Sequence, residues 1–200
     1  MALLFANNNS LSAITTKPSG LSGGSMNLIS TQTASSSSTI SFTSGIDSTY
    51  DEYVFKFYNI HPETDNTSPT VGFRDGGTDY DAVKTTTAFR AYHNEADSDT
   101  ALQYNSGDDL AQSTAFQKLS TVCGNDNDQC YSGTMHLFNP ASTVHVKHFI
   151  IKGNVTDTSN YSVNDFQAGY INTTTAIDGV QFKMSSGNID SGVIKLYGVS

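Results

Sequence analysis

Near the C-terminus, two short runs alternate apolar and polar residues on either side of a glycine-bounded turn. Val180, Phe182 and Met184 alternate with Gln181, Lys183 and Ser185; after Gly187-Asn-Ile-Asp-Ser-Gly192, Ile194 and Leu196 alternate with Lys195 and Tyr197. A period of two belongs to a strand with one face on a core. Two such runs around a Gly/Asn/Ser turn predict a β-hairpin, with the last strand pinned in a sheet. This is the strongest local signal in the chain, and it sets the expected class as all-β.

Composition fits that class. The chain has 200 residues, 36% of them hydrophobic and 14% charged, below the roughly 45–50% and about 25% of average domains. Eleven Phe and ten Tyr supply the missing core volume, because aromatic rings on alternate positions bury much apolar area each. Ser, Thr and Asn solvate the outer face. The length suits a single β-sandwich. The net charge of −9, with ten scattered basic residues, argues against nucleic acid, which needs clustered Lys and Arg. It also disfavours anionic membranes, and no apolar run reaches the length of a bilayer span. The opening Met1-Ala-Leu-Leu-Phe-Ala lacks the basic region and the apolar length of a signal peptide. Cys123 and Cys130 are expected as free thiols of a reducing cytoplasm, with a short-loop disulfide as the alternative.

Residues 1–37 read as an extended N-terminal arm and residues 38–200 as the sandwich. The arm has one charged side chain, Lys17, and Ser/Gly/Asn-rich stretches that cannot bury enough surface to order alone. Its apolar islands are the candidate assembly contacts: Leu3, Leu4, Phe5, Leu11, Ile14, Leu28 and Ile29. Within the sandwich, Thr39–Thr43 reads as a strand. The run from Glu52 to Ile60 reads as a central one, with Tyr53, Phe55 and Phe57 on one face and Val54, Lys56, Tyr58 and Ile60 on the other. Thr70–Arg74 closes on Asp75-Gly-Gly, a hairpin-type turn. Further strands are expected over Thr85–His93 and Phe166–Asn172, and a hairpin over Gly133–Asn139 and Val144–Ile151. Asp108–Leu119 is the one expected helix, capped by Asp108 or Asp109 and with Leu110, Phe116 and Leu119 at helical spacing. Eight to ten strands with one short helix predict a jelly-roll-like antiparallel β-sandwich.

Chemistry-bearing patterns are sparse. Asn125-Asp-Asn-Asp-Gln129 gathers oxygen ligands of the kind calcium takes, without the spacing or glycine of an EF-hand; a solvated turn is expected. Asp97, Asp99, Asp108 and Asp109 read as a loop and a helix cap. His145 and His148 fall on opposite faces of a strand and would not chelate one metal without His136. No Gly-x-Ser-x-Gly elbow, P-loop or dinucleotide motif occurs. Neither catalysis nor a cofactor is expected. Exposed tyrosines can stack on sugars, and Tyr104 and Tyr131 are the candidate glycan contacts.

Several segments carry a family resemblance: Thr39-Ile-Ser-Phe-Thr-Ser-Gly-Ile-Asp-Ser-Thr-Tyr50, Tyr53-Val-Phe-Lys-Phe-Tyr-Asn-Ile-His-Pro62, Gly124-Asn-Asp-Asn-Asp128, Leu137-Phe-Asn-Pro140, Met184-Ser-Ser-Gly-Asn-Ile-Asp190 and Ile194-Lys-Leu-Tyr-Gly198. Over most of residues 28–200 the chain resembles structural, decoration or tail-fibre-like virion proteins of tailed bacteriophages, notably marine ones. The resemblance implies a non-enzymatic protein of the particle surface, made in the host bacterial cytoplasm. Its implied partners are capsid or tail subunits and further copies of itself, in three-fold association. A receptor- or carbohydrate-binding module of a tail fibre, taking a host surface glycan, is the alternative.

Overall fold

The computed structural model describes residues 26–199. Among these residues, twelve strands form two antiparallel sheets. In chain order they are β1 (Met26–Ser37), β2 (Ile40–Phe42), β3 (Glu52–Pro62), β4 (Pro69–Arg74), β5 (Lys84–Asn94) and β6 (Thr100–Tyr104). They continue with β7 (Gln117–Lys118), β8 (Tyr131–Phe138), β9 (Lys147–Thr156), β10 (Tyr161–Ile171), β11 (Gly179–Met184) and β12 (Ile189–Val199). The large sheet runs β1-β12-β3-β8-β9-β10-β5-β6 and the small one β2-β11-β4-β7. Without β5, β6, β9 and β10, the sheets are β1-β12-β3-β8 and β2-β11-β4-β7, the strand order of a jelly roll. The four remaining strands arrive in two insertions, one between β4 and β7 and one between β8 and β11. Both insertions lengthen the same edge of the large sheet.

The core lies between the sheets. Tyr53, Phe55 and Phe57 of β3, Met135 and Leu137 of β8, and Ile194 and Leu196 of β12 face Phe42, Val71, Phe73, Val180 and Phe182 of the small sheet. The alternation that marked β3 and β12 in the sequence is the alternation of inner and outer face. It breaks once. Asn59 takes a left-handed φ of 48°, and the β3–β8 register shifts between Phe57 and Ile60. This bulge returns Ile60 to the core, where it is buried, instead of leaving it on the face of Lys56 as strict alternation implies.

The expected terminal hairpin does not form. β11 belongs to the small sheet and β12 to the large one, so the turn at Ser185–Asn188 arches from one layer to the other. A second arch, between β3 and β4, stacks against it: Glu63 N–H donates to the Asn188 carbonyl at 3.0 Å and Ser185 N–H to the Ser68 carbonyl at 2.8 Å. Gly187 has a φ of +69°, and a Cβ there would lie 2.1 Å from Thr64 Oγ1. Asp75-Gly-Gly is likewise an arch and not a hairpin, since β4 and β5 lie in different sheets. The hairpin expected around Pro140 does form, as β8 and β9.

The expected helix is absent: residues 108–116 are loop and bridge, and 117–118 are β7. Gln112 has a φ of +48°, outside the helical region. Asp108 is buried and pairs with Lys118 Nζ at 2.5 Å, so it does not cap a helix. Leu110 N–H donates to Thr86 Oγ1 at 2.8 Å, and Gln117 Nε2 donates to the Asp108 carbonyl at 2.8 Å. These non-helical bonds override local helical spacing. They lay residues 110–113 along the edge of β5, where Thr86 N–H donates to the Leu110 carbonyl at 2.8 Å and Lys84 N–H to the Ser113 carbonyl at 2.9 Å. Gln117 of β7 covers the inner face there by accepting from Thr86 Oγ1 at 2.7 Å. Thr121 finishes this cover: its N–H donates to buried Asp165 at 3.0 Å and its Oγ1 accepts from Arg90 at 3.0 Å.

Of the residues expected as an arm, 26–37 form β1 and pair with β12 along their length. Ile29 packs on the core, while Leu28 remains 56% exposed. Leu3, Leu4, Phe5, Leu11 and Ile14 lie outside the described residues.

Candidate functional site

The inner face of the large sheet is buried by the core; the outer face has no covering layer among the described residues. One residue from each strand aligns there in a single cross-strand row. At one end, Tyr104 of β6 lies opposite Phe89 of β5, which lies opposite Phe166 of β10. The row continues through Lys152 of β9, Thr134 of β8 and Lys56 of β3 to Lys195 of β12, and ends at Thr31 on β1. Eight strands at about 4.8 Å spacing make the row roughly 34 Å long. Its first third is aromatic and its middle is basic.

The aromatic end is open to solvent. Tyr104 is 56% exposed and Phe89 44%. Phe89 and Phe166 stack with centroids 4.9 Å apart and planes 6° apart. The Tyr104 hydroxyl donates to Asp109 Oδ2 at 2.5 Å, which raises the phenol pKa above its ordinary value.

The three lysines each sit beside a ring of the same face. Lys152 is 5.4 Å from the Phe166 centroid, Lys56 is 5.5 Å from that of Tyr197, and Lys195 is 5.5 Å from that of Tyr58. None of the three forms an ion pair among the described residues. Glu52 shares the face, but it pairs with His136 Nδ1 at 2.5 Å. Lys56 and Lys195 stand directly opposite each other, an arrangement that costs stability when no anion neutralises it. The other exposed hydrophobic groups of the face include Ile150, Leu102 and Tyr58.

Beside the row, a concavity of about 520 Å³ lies over β9, β10 and β5. Its floor is Ala168 and Gly169, and its sides include Ile150, His148, Tyr170 and Thr87. The sequence Phe166-Gln-Ala168-Gly-Tyr170 shows why: on the outer face of β10 a small residue stands between two aromatic ones.

Of the two candidate glycan tyrosines, Tyr104 lies in this row. Tyr131 does not and cannot contact a ligand, because it is fully buried on the inner face of β8. Its ring packs on Phe57 at 5.7 Å and fills the space left by Gly153, where a Cβ would come within 2.3 Å. Its hydroxyl has no hydrogen-bond partner in the interior, and burial pushes its pKa far above the ordinary range.

Three of the basic residues that look scattered in sequence thus converge through register. No linear pattern announces this, because β3, β9 and β12 each contribute one lysine. The histidines do not converge: His148 is on β9, His145 lies in the loop before it, and His136 is held by Glu52. Asn125–Gln129 forms a turn in which Gln129 N–H donates to the Asp126 carbonyl at 2.9 Å. Among the described residues, no group of three His, Cys, Asp or Glu side chains is placed to hold a metal ion. Cys123 and Cys130 are both free thiols.

No family model, no curated protein and no solved structure matches this chain.

Proposed function

We propose that this chain is a non-enzymatic structural protein of a bacteriophage particle, displayed on the particle surface as a capsid decoration or a tail-associated component. It binds neighbouring subunits by β-strand addition along β1. The observation that carries this reading is the edge of the large sheet. β1 is twelve residues long, contains no charge and no proline, and among the described residues pairs on one side only, with β12. Natural edge strands are usually short, charged, or interrupted by proline, because an open edge recruits another strand. An edge this long and uncharged, with Leu28 exposed beside it, is what a chain that must join a lattice presents. The sequence resemblance of residues 28–200 points to the same class. The jelly roll is compatible with it but is shared by viral coat and lectin domains alike, so the edge and not the fold supports the assignment.

The test places charge on that edge. Thr33→Lys with Ser35→Lys alters two exposed side chains of β1. The variant is expected to keep the wild-type Tm and to be missing from purified particles. Incorporation at the wild-type level would overturn the reading.

A second reading, a glycan-binding module of a tail fibre, is favoured by a different observation: Tyr104 and Phe89 stand exposed together on the open sheet face.

A further inference from the structure

We propose that the outer face of the large sheet binds an extended acidic polysaccharide, with its anionic groups on Lys56, Lys152 and Lys195 and its sugar rings on Phe89 and Tyr104. This deepens the second reading above and uses a surface distinct from the β1 edge.

Charge argues first. The chain carries −9 overall, yet three lysines align on one face and find no carboxylate among the described residues. Two of them face each other across adjacent strands. Holding like charges together on the solvent side of a sheet is unfavourable without a counter-anion, and an anionic ligand supplies one. The rings beside the lysines set the ammonium groups over an apolar surface, where they pair with an incoming anion more strongly than fully hydrated groups would.

Geometry narrows the occupant. Lys56 and Lys152 are two strand spacings apart, about 10 Å, and the aromatic pair continues the same line beyond Phe166. A ligand that meets both halves is long, carries separated charges, and has apolar faces between them. Acidic sugars have these properties: carboxylate or sulfate groups at the rim, and C–H faces that stack on aromatic rings. The concavity over Ala168 and Gly169 adjoins the row and can take a side branch.

Other occupants fit less well. A second copy docked face to face would oppose lysine to lysine. A protein interface has a core depleted in lysine, whereas here the lysines occupy the middle of the face. Single-stranded nucleic acid also combines stacking with cations, but its binding rests on a groove lined with many clustered cations, and three lysines in a molecule of this net charge make a weak one.

Affinity electrophoresis of the isolated protein tests the proposal, with polygalacturonate, chondroitin sulfate or neutral dextran cast in the gel. The wild type is expected to be retarded by at least one acidic polymer, less so as salt is raised, and not by dextran. Lys56→Gln/Lys152→Gln/Lys195→Gln and, separately, Phe89→Ala/Tyr104→Ala are each expected to weaken retardation by about tenfold or more. All five side chains lie on the uncovered face, so both variants should keep the wild-type Tm, which is measured alongside. Absence of retardation by both acidic polymers overturns the proposal, as does equal retardation of wild type and variants. Tighter binding of an oligothymidylate than of either polysaccharide overturns it in favour of single-stranded nucleic acid. Lys56→Gln/Lys152→Gln/Lys195→Gln leaves the β1 edge unaltered and is expected to join particles at the wild-type level, so glycan binding and particle assembly stand or fall separately.

Discussion

Phe182 of the small sheet meets Phe55 of the large sheet edge-to-face across the sandwich, with ring centroids 5.3 Å apart. The same ring contacts Phe57 at 5.1 Å and Phe42 at 6.1 Å. One side chain of β11 thus joins both layers near the middle of the core. Offset and edge-on aromatic contacts of this kind add to simple area burial.

Phe182→Ala removes this junction and leaves a cavity among Phe42, Phe55 and Phe57. The expected loss is about 3–5 kcal/mol, read as a lower midpoint in urea at unchanged slope. Phe89→Ala removes the same atoms from the open face and is expected to cost under about 1 kcal/mol. Equal losses for the two would contradict the assignment of inner and outer faces.

Asp165 gives the fold a pH dependence. Burial pushes its carboxyl up to about 6 from 3.8, while the Thr121 N–H and Arg90 oppose the shift. The folded state therefore holds this proton more tightly than the unfolded chain does. The contribution is fully present below about pH 4 and is lost as pH rises through about 6. Asp165→Asn can still accept the Thr121 N–H. It should flatten that part of the stability curve and raise stability at neutral pH by about 1–2 kcal/mol. An unchanged slope between pH 4 and pH 6 would show that Asp165 titrates as in the unfolded chain.

The two thiols should differ in reactivity. Burial pushes the Cys123 thiol up to about 12, and it also raises the half-buried Cys130. Because the thiolate is the reactive form, Ellman's reagent should label Cys130 slowly and Cys123 only on unfolding. Rapid labelling of both in the native protein would contradict the burial of Cys123.

Much of the fold was legible in the sequence because alternation reports which residues share a face. β3, β11 and β12 were visible this way, and so was the all-β class; β5 and the second half of β10 were also expected as strands. What alternation does not report is the partner. The segments around Gly187 read as a hairpin, yet Met184 and Ile189 end up in opposite layers. Val180, Phe182 and Met184 on one run, and Ile194 and Leu196 on the next, cover each other across the core instead of lying side by side. The bulge at Asn59 was hidden for a similar reason: nothing local shows that Ile60 returns to the inner face. The false helix over Asp108–Leu119 had real helical spacing, but Thr86 engages its backbone from elsewhere in the chain, and Gln117 and Lys118 fold back on Asp108 within it.

The candidate site was less legible still. Tyr104 was singled out as an exposed tyrosine and is one; Tyr131 was singled out on the same grounds and lies in the core. The distinction depends on strand register, since Tyr131 occupies an inner position and the space above Gly153. The lysine row exists only once β12, β3, β8 and β9 are aligned.

The most direct test of the account is a cryo-electron density map of the intact particle, examined at β1. The account predicts this chain on the particle surface, with density for a further strand continuing the large sheet beyond Met26–Ser37. A map in which the chain is missing from the particle, or in which β1 faces solvent with no neighbouring strand, would contradict it.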